Sequence, residues 1–417
     1  MNKKEDSSSG VRGLVVQKFG GTSVRDAERI KNVASRIVQT VKSGKDVVAV
    51  VSAPGDTTDR LMKMACSISS CPSERELDVL LSTGEMQGIS LVAMAIHELG
   101  FKAVSLSGAQ VGIITDSVHS RARIKRINTE KILSSVKSGH IVIVAGFQGV
   151  SADENITTLG RGGSDLSAVA LASVLKAEAC EIYTDVDGVF TADPSVVTCA
   201  GKIERITYDE MLELASAGAK VMQSRSMEVA KKHKVRLLIK SSLRKDGKGG
   251  TTVMEETKDL EQVVVRGVTL DEDQVKMSIE NLPDRPGIAA RLFGALAAEG
   301  INVDMIIQAS AYKSGRNDIS FTISRRHVKL AHTKLKEIAG ELGADDIIVD
   351  EDVCKVSIVG IGMRSHAGVA ARMFEVLAKK GINIEMISTS EIKISCVVPG
   401  DSGKEALRAL HSEFCEK

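Results

Sequence analysis

From Leu14 to about Ile239, short apolar runs alternate with longer stretches of helical period. Leu14–Phe19, Val47–Val51, Ala103–Leu106, Ile141–Ala145, Glu181–Thr184 and Arg236–Ile239 read as buried strands. Arg25–Lys42, Glu74–Leu99, Thr129–Lys137, Ser164–Leu175, Tyr208–Ala217 and Gln223–Lys232 read as helices. Strands covered on both faces are continuously apolar, so the alternation predicts an α/β domain with a mainly parallel sheet sandwiched by helices. Ligands are expected beyond the carboxyl ends of its strands. The polar, Gly-rich Ser241–Thr252 is expected to close this domain.

Beyond it the pattern repeats. Gly287–Ile306 reads GIAARLFGALAAEGINVDMI and Gly368–Ile387 reads GVAARMFEVLAKKGINIEMI, identical at twelve of twenty positions. Each copy predicts strand, Gly loop, helix, Gly-Ile-Asn, strand, strand, helix, an α+β unit of ferredoxin-like type. Ile288, Leu292 and Leu296 form a stripe that lies on a sheet, and Gly300 and Gly381 fit helix C-caps. The first copy, 271–350, has room for four strands. The second, 353–417, lacks a last one, and the β-rich run Gln262–Leu270 is expected to supply it. The expected organisation is a flexible leader over 1–13, a catalytic domain over 14–250, a first regulatory unit over 271–350, and a second, discontinuous one from 262–270 plus 353–417.

Composition narrows the class. Apolar residues make up 43%, and 55 Lys+Arg nearly cancel 54 Asp+Glu, which gives no pull toward nucleic acid or membrane. Aromatics are 3% with no Trp, so base stacking is excluded as a main binding mode. The basic cluster Arg121, Arg123, Lys125 and Arg126 reads as a solvated loop or a subunit contact. Seven cysteines without a CxxC pair point to reduced thiols, with neither a disulfide framework nor a metal site. Met1–Gly13 lacks the apolar stretch of a signal peptide, and no apolar run is read as long enough to cross a bilayer, so a cytoplasmic protein is expected.

Several segments carry candidate chemistry. Lys18-Phe19-Gly20-Gly21-Thr22-Ser23 ends a strand and opens a helix. It is either an ordinary turn or a turn whose amides and ammonium meet an anion. The GxxxxGK[ST] spacing is absent. Thr158-Leu159-Gly160-Arg161-Gly162-Gly163-Ser164-Asp165 is a second Gly-rich helix start, with a guanidinium fork suited to carboxylate or phosphate. Two such starts suit phosphoryl transfer, in which alignment and charge neutralisation do most of the work. Thr184–Pro194 is an Asp-Gly turn with a Pro stop or a nucleotide loop. Ser52-Ala53-Pro54-Gly55-Asp56-Thr57-Thr58-Asp59 and Ser82-Thr83-Gly84-Glu85 each read as a helix cap or as part of a site.

Taken in order, KFGGTS, VSAPGDTTDRL, STGE, VAGFQGV, TTLGRGGSD and TDVDGVFTADP resemble the amino acid kinase family and, within it, the aspartate kinases; the tandem repeats resemble ACT domains. The resemblance implies an amino acid kinase fold and phosphorylation of the L-aspartate side-chain carboxylate by ATP with Mg2+. That reaction is the first step toward lysine, threonine and methionine, and toward diaminopimelate. By it, Lys18, Phe19, Gly20 and Gly21 hold the ATP phosphates, with Lys18 and Asp185 catalytic. Thr184, Asp185, Phe190 and Asp193 line the nucleotide pocket, and Lys220 reaches the nucleotide. Glu85 takes the aspartate ammonium. Arg161 takes a carboxylate beside Gly162 and Gly163, helped by Ser52, Thr57 and Ser164. A carboxylate acceptor is already ionised at neutral pH and needs no general base. Mg2+ is expected on ATP oxygens, with no protein ligand assigned.

For regulation, Asn281–Ala289 resembles an effector loop for lysine, threonine or both. Asp284 faces an ammonium, the amides of Gly287, Ile288 and Ala289 face a carboxylate, and Gln308 reaches the same ligand. The second copy has Arg364-Ser365-His366-Ala367-Gly368-Val369-Ala370 instead and lacks the Asp-x-Pro-Gly pattern. Val369 and Ala370 are the effector candidates of this second loop, and Ser390 and Glu391 are expected to contribute from a partner chain. A homo-oligomer through these units is expected, with a short in-frame subunit starting at Met254 as a further product. The competing readings are a kinase of another small acid and a non-catalytic amino-acid sensor.

Overall fold

The computed structural model describes residues 13–219, 221–244, 249–255, 264–310 and 315–416. They form two compact units. One takes its residues from within 13–189, 202–216 and 221–255, the other from within 190–201, 217–219 and 264–416. Residues 1–12 of the expected leader lie outside the described residues.

The chain begins with β1 (Val15–Phe19), α1 (Ala27–Lys42), β2 (Val47–Val51), α2 (Thr57–Ile68), α3 (Glu74–Glu98) and β3 (Ala103–Leu106). The short strands β4 (Ile113–Thr115) and β5 (Ile124–Ile127), α4 (Glu130–Lys137), β6 (Ile141–Ala145), β7 (Gln148–Val150), β8 (Ile156–Thr158), α5 (Gly163–Val174) and β9 (Ala179–Thr184) follow. After β10 (Val189–Phe190) and β11 (Lys202–Ile203) come β12 (Arg205–Thr207), α6 (Tyr208–Ser216), α7 (Ser224–His233), β13 (Leu237–Ser241) and β14 (Thr251–Met254). Eight strands make one sheet in the order β12-β14-β13-β9-β1-β2-β6-β3, antiparallel only between β13 and β14. Every residue of Val47–Val51 and Ile141–Ala145 is buried, as two-sided cover requires. A carboxylate network also stitches the sheet. Glu181 accepts from Lys240, Gln17 and Tyr183 at 2.6, 2.8 and 2.9 Å. Burial opposes its charge, but these donors outweigh it and hold the carboxyl below its usual range.

Three expectations are corrected here. Ser241–Thr252 does not close the domain: the chain turns back as β14, so the sheet runs past residue 250 and Met254 is a residue of it. Helix α2, which is not among the expected helices, opens at Thr57, within the segment Ser52–Asp59 that reads as a helix cap or as part of a site. Helix α3, at 25 residues, is long and apolar enough to cross a bilayer by length and composition. In this chain it is a core helix, with Leu77, Leu81, Ile89, Val92 and Ile96 buried.

The second unit carries β15 (Gly267–Asp271), β16 (Val275–Pro283), α8 (Ile288–Ala298), β17 (Val303–Ser310), β18 (Arg316–Ile323), α9 (Val328–Leu342) and β19 (Ile347–Asp350). The second copy adds β20 (Val353–Val359), α10 (Val369–Lys379), β21 (Met386–Thr389), β22 (Lys393–Pro399) and α11 (Gly403–Cys415). The sheets run β17-β18-β16-β19 and β15-β20-β22-β21. The second copy's sheet is therefore completed from before the first: Gly267 pairs with Val359, and Asp271 with Lys355. Lys355 is 2% exposed and ion-paired to Asp304 of β17 and, at 3.8 Å, to Asp271. Lys276 reaches Glu385 at 2.8 Å. These pairs tie one copy to the other.

Glycines mark where helices approach backbone. On α3 a Cβ at Gly88 would lie 2.6 Å from the Ser52 carbonyl oxygen, whereas one at Gly294 on α8 meets nothing within 4 Å. Helix propensity favours Ala at both by about 1 kcal/mol. We expect Gly294→Ala to raise the thermal transition of its unit. Gly88→Ala should lower that of its own unit, through the ~1–3 kcal/mol of destabilisation typical of overpacking. Melts that move the same way would break this account.

Candidate active site

Register sets the site's floor. Phe19 pairs with Val51 and with Tyr183, and Val51 pairs with Ala145, so β9, β1, β2 and β6 end level. The loops that follow them share one sheet edge and bond to one another. Ser52 N–H donates to Phe19 O at 3.1 Å, Gly146 N–H to Val51 O at 3.0 Å and Gly55 N–H to Gly21 O at 3.0 Å. Gly21 is needed for this packing, since a Cβ there would lie 2.7 Å from Ala53 O. Gly20 is less hemmed in, with Lys18 Nζ 3.5 Å from its Cβ position.

Lys18 points across to the start of α5, where its Nζ lies 2.6 Å from Asp165 Oδ1. Both side chains are largely buried, at 13% and 10% exposure. Asp165 sits in the first turn of α5, where a carboxylate is favoured by the helix dipole. Ser164 is buried beside it, and its Oγ would lie 2.6 Å from a Cβ on Gly146. Gly162 starts α5 with φ 69°, a left-handed conformation that suits glycine, and Arg161 before it is exposed.

Two residues that sequence reasoning passed over hold this loop. Buried Asp78 of α3 accepts from Thr158 Oγ1 at 2.6 Å and from Ser120 N–H at 3.1 Å, with His119 Nδ1 at 2.7 Å. Arg225 of α7 donates to Leu159 O at 2.8 Å and Ala122 O at 2.9 Å. The partners lie far apart in sequence, so no local motif announces them. Asp165 was visible within GGSD, but nothing local names Lys18 as its partner.

Glu85 reaches the loop after β2 from α3. It is 3% exposed; Oε1 accepts from Ala53 N–H at 3.3 Å, and Oε2 has no hydrogen bond among the described residues. Burial pushes its carboxyl up to about 8, against the pull of hydrogen bonds from its own and the Ala53 backbone. Gly84 permits the approach, because a Cβ there would lie 2.8 Å from Ala53 Cβ. Glu85, Ala53, Gly21, Lys18, Asp165, Ser164 and Gly146 thus form one wall. Ser52 adjoins it. Thr57 is buried at its edge, its hydroxyl donated to Pro54 O at 2.6 Å.

Beyond β9, Thr184 donates to exposed Asp185 at 3.0 Å. Asp187 pairs with Arg244 at 2.7 Å and Lys202 at 3.3 Å. Phe190 and Asp193 belong to the second unit. There Asp193 caps a turn, accepting from Ser195 N–H at 2.9 Å and Oγ at 2.6 Å. Lys220 lies outside the described residues.

The second unit has its own concavity of about 300 Å³, lined by Asp284, Gly287, Ile288, Ala289 and Gln308 together with Asn317. Gly287 starts α8 with φ 98°, and Gly368 starts α10 with φ 90°. Ile288 and Val369 are buried beneath these helices, so only their backbone is offered to a ligand. Ala370 is half-buried. Ser390 N–H closes a turn onto Lys393 O at 2.8 Å, and Glu391 is exposed in that turn.

A family model for the amino acid kinase family matches residues 13–241, and one for the ACT domain matches 278–338 and 356–414. An aspartate kinase of Stutzerimonas stutzeri is 49% identical over 401 residues, covering 96% of this chain and 97% of that protein. The structure of Escherichia coli aspartokinase III with aspartate and ADP is similar with a TM-score of 0.83 at 26% identity, covering 96% and 99% of the two chains. The same enzyme with lysine and aspartate gives 0.73 at 26% identity, covering 97% and 100%. Joined to the sheet, the glycine-packed loops and the paired regulatory copies, these likenesses show that the chain belongs to the amino acid kinase family, in its aspartate kinase branch.

Proposed function

We propose that this chain transfers the γ-phosphoryl group of ATP to the side-chain carboxylate of L-aspartate, under feedback control by lysine, threonine or both. The observation that carries the reading is Glu85, a buried carboxylate with one oxygen unbonded, on the same wall as the Lys18–Asp165 pair. A buried charge without a partner is costly, and the α-ammonium of aspartate supplies one. Arg161, on the loop held by Asp78 and Arg225, is the fork for a carboxylate. Lys18 is the compact cation for the transferring phosphoryl group, and Asp165 holds it until phosphate competes for it. Thr184 and Asp185 adjoin the nucleotide. The acceptor oxygen carries no proton at neutral pH, so these residues align two anions and screen their repulsion. Mg2+ enters as part of the MgATP substrate.

ADP release measured with aspartate, glutamate, acetylglutamate and carbamate tests the acceptor. Turnover is expected with aspartate, and turnover with another acid in its place would overturn the reading. Lys18→Ala should keep the fold and lower kcat by roughly 10²-fold or more, the scale of one preorganised electrostatic contact.

Glu85 gives a pH signature. The ammonium needs its ionised form, so kcat/KM for aspartate should rise with pH through about 8. In Glu85→Gln that limb should vanish and kcat/KM should fall about 10²-fold, as for an unpaired ligand charge. The same carboxyl titrates higher in the fold than in the unfolded chain, so its ionisation removes stability as pH rises from 4.5 to about 8. Without aspartate, Glu85→Gln should therefore melt above the wild type at pH 8 and level with it near pH 4.

For control, the concavity at Asp284 offers a carboxylate to an effector ammonium, and the start of α8 offers amides to its carboxylate. Inhibition requires tighter binding to a low-activity arrangement. Asp284→Ala should raise the half-inhibitory concentration of lysine or threonine by tenfold or more. Unchanged sensitivity would move the effector elsewhere.

A further inference from the structure

Within the second unit, segment 190–201 packs on the C-terminal helix. Ala192 and Val197 share one buried cluster with Leu407 and Leu410 of α11. At this junction three metal-ligating side chains converge. Ligand atoms of Cys199, His411 and Glu416 all lie within 4.8 Å of one another. Cys199 and Glu416 are 217 positions apart, so no sequence spacing announces them.

Proximity of such side chains is common at surfaces, and three further observations set this group apart. His411 is 1% exposed, and its Nδ1 has no hydrogen bond among the described residues and faces Glu416 Oε1 at 3.8 Å. Its other nitrogen, Nε2, lies 2.8 Å from Thr191 Oγ1, an oxygen that also accepts from Gly201 N–H at 2.9 Å. A proton on Nε2 donated to Thr191 leaves the Nδ1 lone pair turned into the cluster. Glu416 is held the same way: Oε2 accepts from Ser412 at 2.7 Å while Oε1 meets Cys199 Sγ at 2.7 Å. Each buried or tethered ligand thus has its second polar atom fixed by another side chain, the arrangement that orients metal ligands.

We propose that Cys199 Sγ, His411 Nδ1 and Glu416 Oε1 bind one borderline-soft divalent cation of the zinc type, with a fourth position open to water. Nitrogen, oxygen and sulfur donors together suit zinc or cobalt, whereas magnesium and calcium prefer oxygen alone. Zinc bonds of about 2.0–2.3 Å require the sulfur and oxygen to stand roughly 3.5 Å apart. Cys199 is exposed on its loop, and an outward shift of about 1 Å supplies that spacing. The metal–sulfur bond forms with release of the thiol proton to solvent, as thiolate ligation requires. The bound cation clips segment 190–201 to α11.

The test uses the full chain with the exposed Cys66 and Cys71 changed to Ser, stripped with a chelator and titrated with cobalt. We expect one cobalt per chain, with a thiolate-to-metal charge-transfer band in the near ultraviolet that zinc displaces. Cys199→Ser should abolish the band, and Cys415→Ser should leave it. Thr191→Val, which keeps all three ligands, should weaken binding about 10–100-fold, the usual effect of losing an outer partner. No band, a band that survives Cys199→Ser, one lost in Cys415→Ser, or full affinity in Thr191→Val would each overturn the assignment.

Discussion

Level, in-register parallel pairing of β9, β1, β2 and β6 is the constraint from which the site follows. Four strands that stop together must release four loops into one small space. Those loops fit only where side chains are missing: Gly21 against Ala53, Gly88 against Ser52, and Gly146 against Ser164. Glycine here serves close packing as much as anion approach. The packing has an electrical consequence. With backbone so near, little water remains around Lys18, Asp165 and Glu85, and charges in such surroundings act more strongly than they would in bulk solvent.

Those charges are arranged unevenly. Lys18 has a partner in Asp165, whereas among the described residues Glu85 keeps one oxygen without a bond, and its carboxyl is raised to about 8. A fold under selection for stability alone would not retain an unsatisfied buried carboxylate on a core helix, since the neutral amide of equal size removes the penalty. On the proposed reading, the ammonium of the acceptor completes what the protein leaves open. The strained group is therefore the one that discriminates, because a ligand without a cation at that point relieves nothing.

Much of this was legible in the chain. The buried strands show as continuous apolar runs because both sheet faces are covered, and the regulatory copies show through their repeat. The residues lining the first copy's concavity could be grouped in advance because Asp284 to Ala289 are consecutive and Gln308 lies on the next strand. Other parts left no local trace. Helix α2 follows a hydroxyl-rich segment that reads equally as a helix cap or as part of a site, and β14 hides behind glycines that look like a linker. The roles of Asp78, Arg225 and Asp165 depend on partners brought near only by folding. Lys355 is harder still: an ammonium at 2% exposure violates the usual burial rule, and only the paired carboxylates of Asp271 and Asp304 explain it.

On the proposed reading, Lys355 also bears on how an effector would be felt. Asp304 lies on β17, the strand that carries Gln308 of the concavity at Asp284, and Asp271 lies on β15, the strand lent to the second copy's sheet. On the same β17, Met305 and Ile307 pack with Val353, Met386 and Val397 of the second copy. On that reading, a ligand seated against Gln308 would meet a strand already joined to the second copy by the Lys355–Asp304 ion pair and an apolar cluster. Neither connection deforms cheaply: moving Asp304 away leaves the buried ammonium with only Asp271, at 3.8 Å, and moving Met305 opens a void. On the proposed reading, a preference of the ligand for one position of β17 would be passed to the sheet of the second copy rather than absorbed by the first. The second copy, which lacks the Asp-x-Pro-Gly pattern, would then serve as the element against which the first is read.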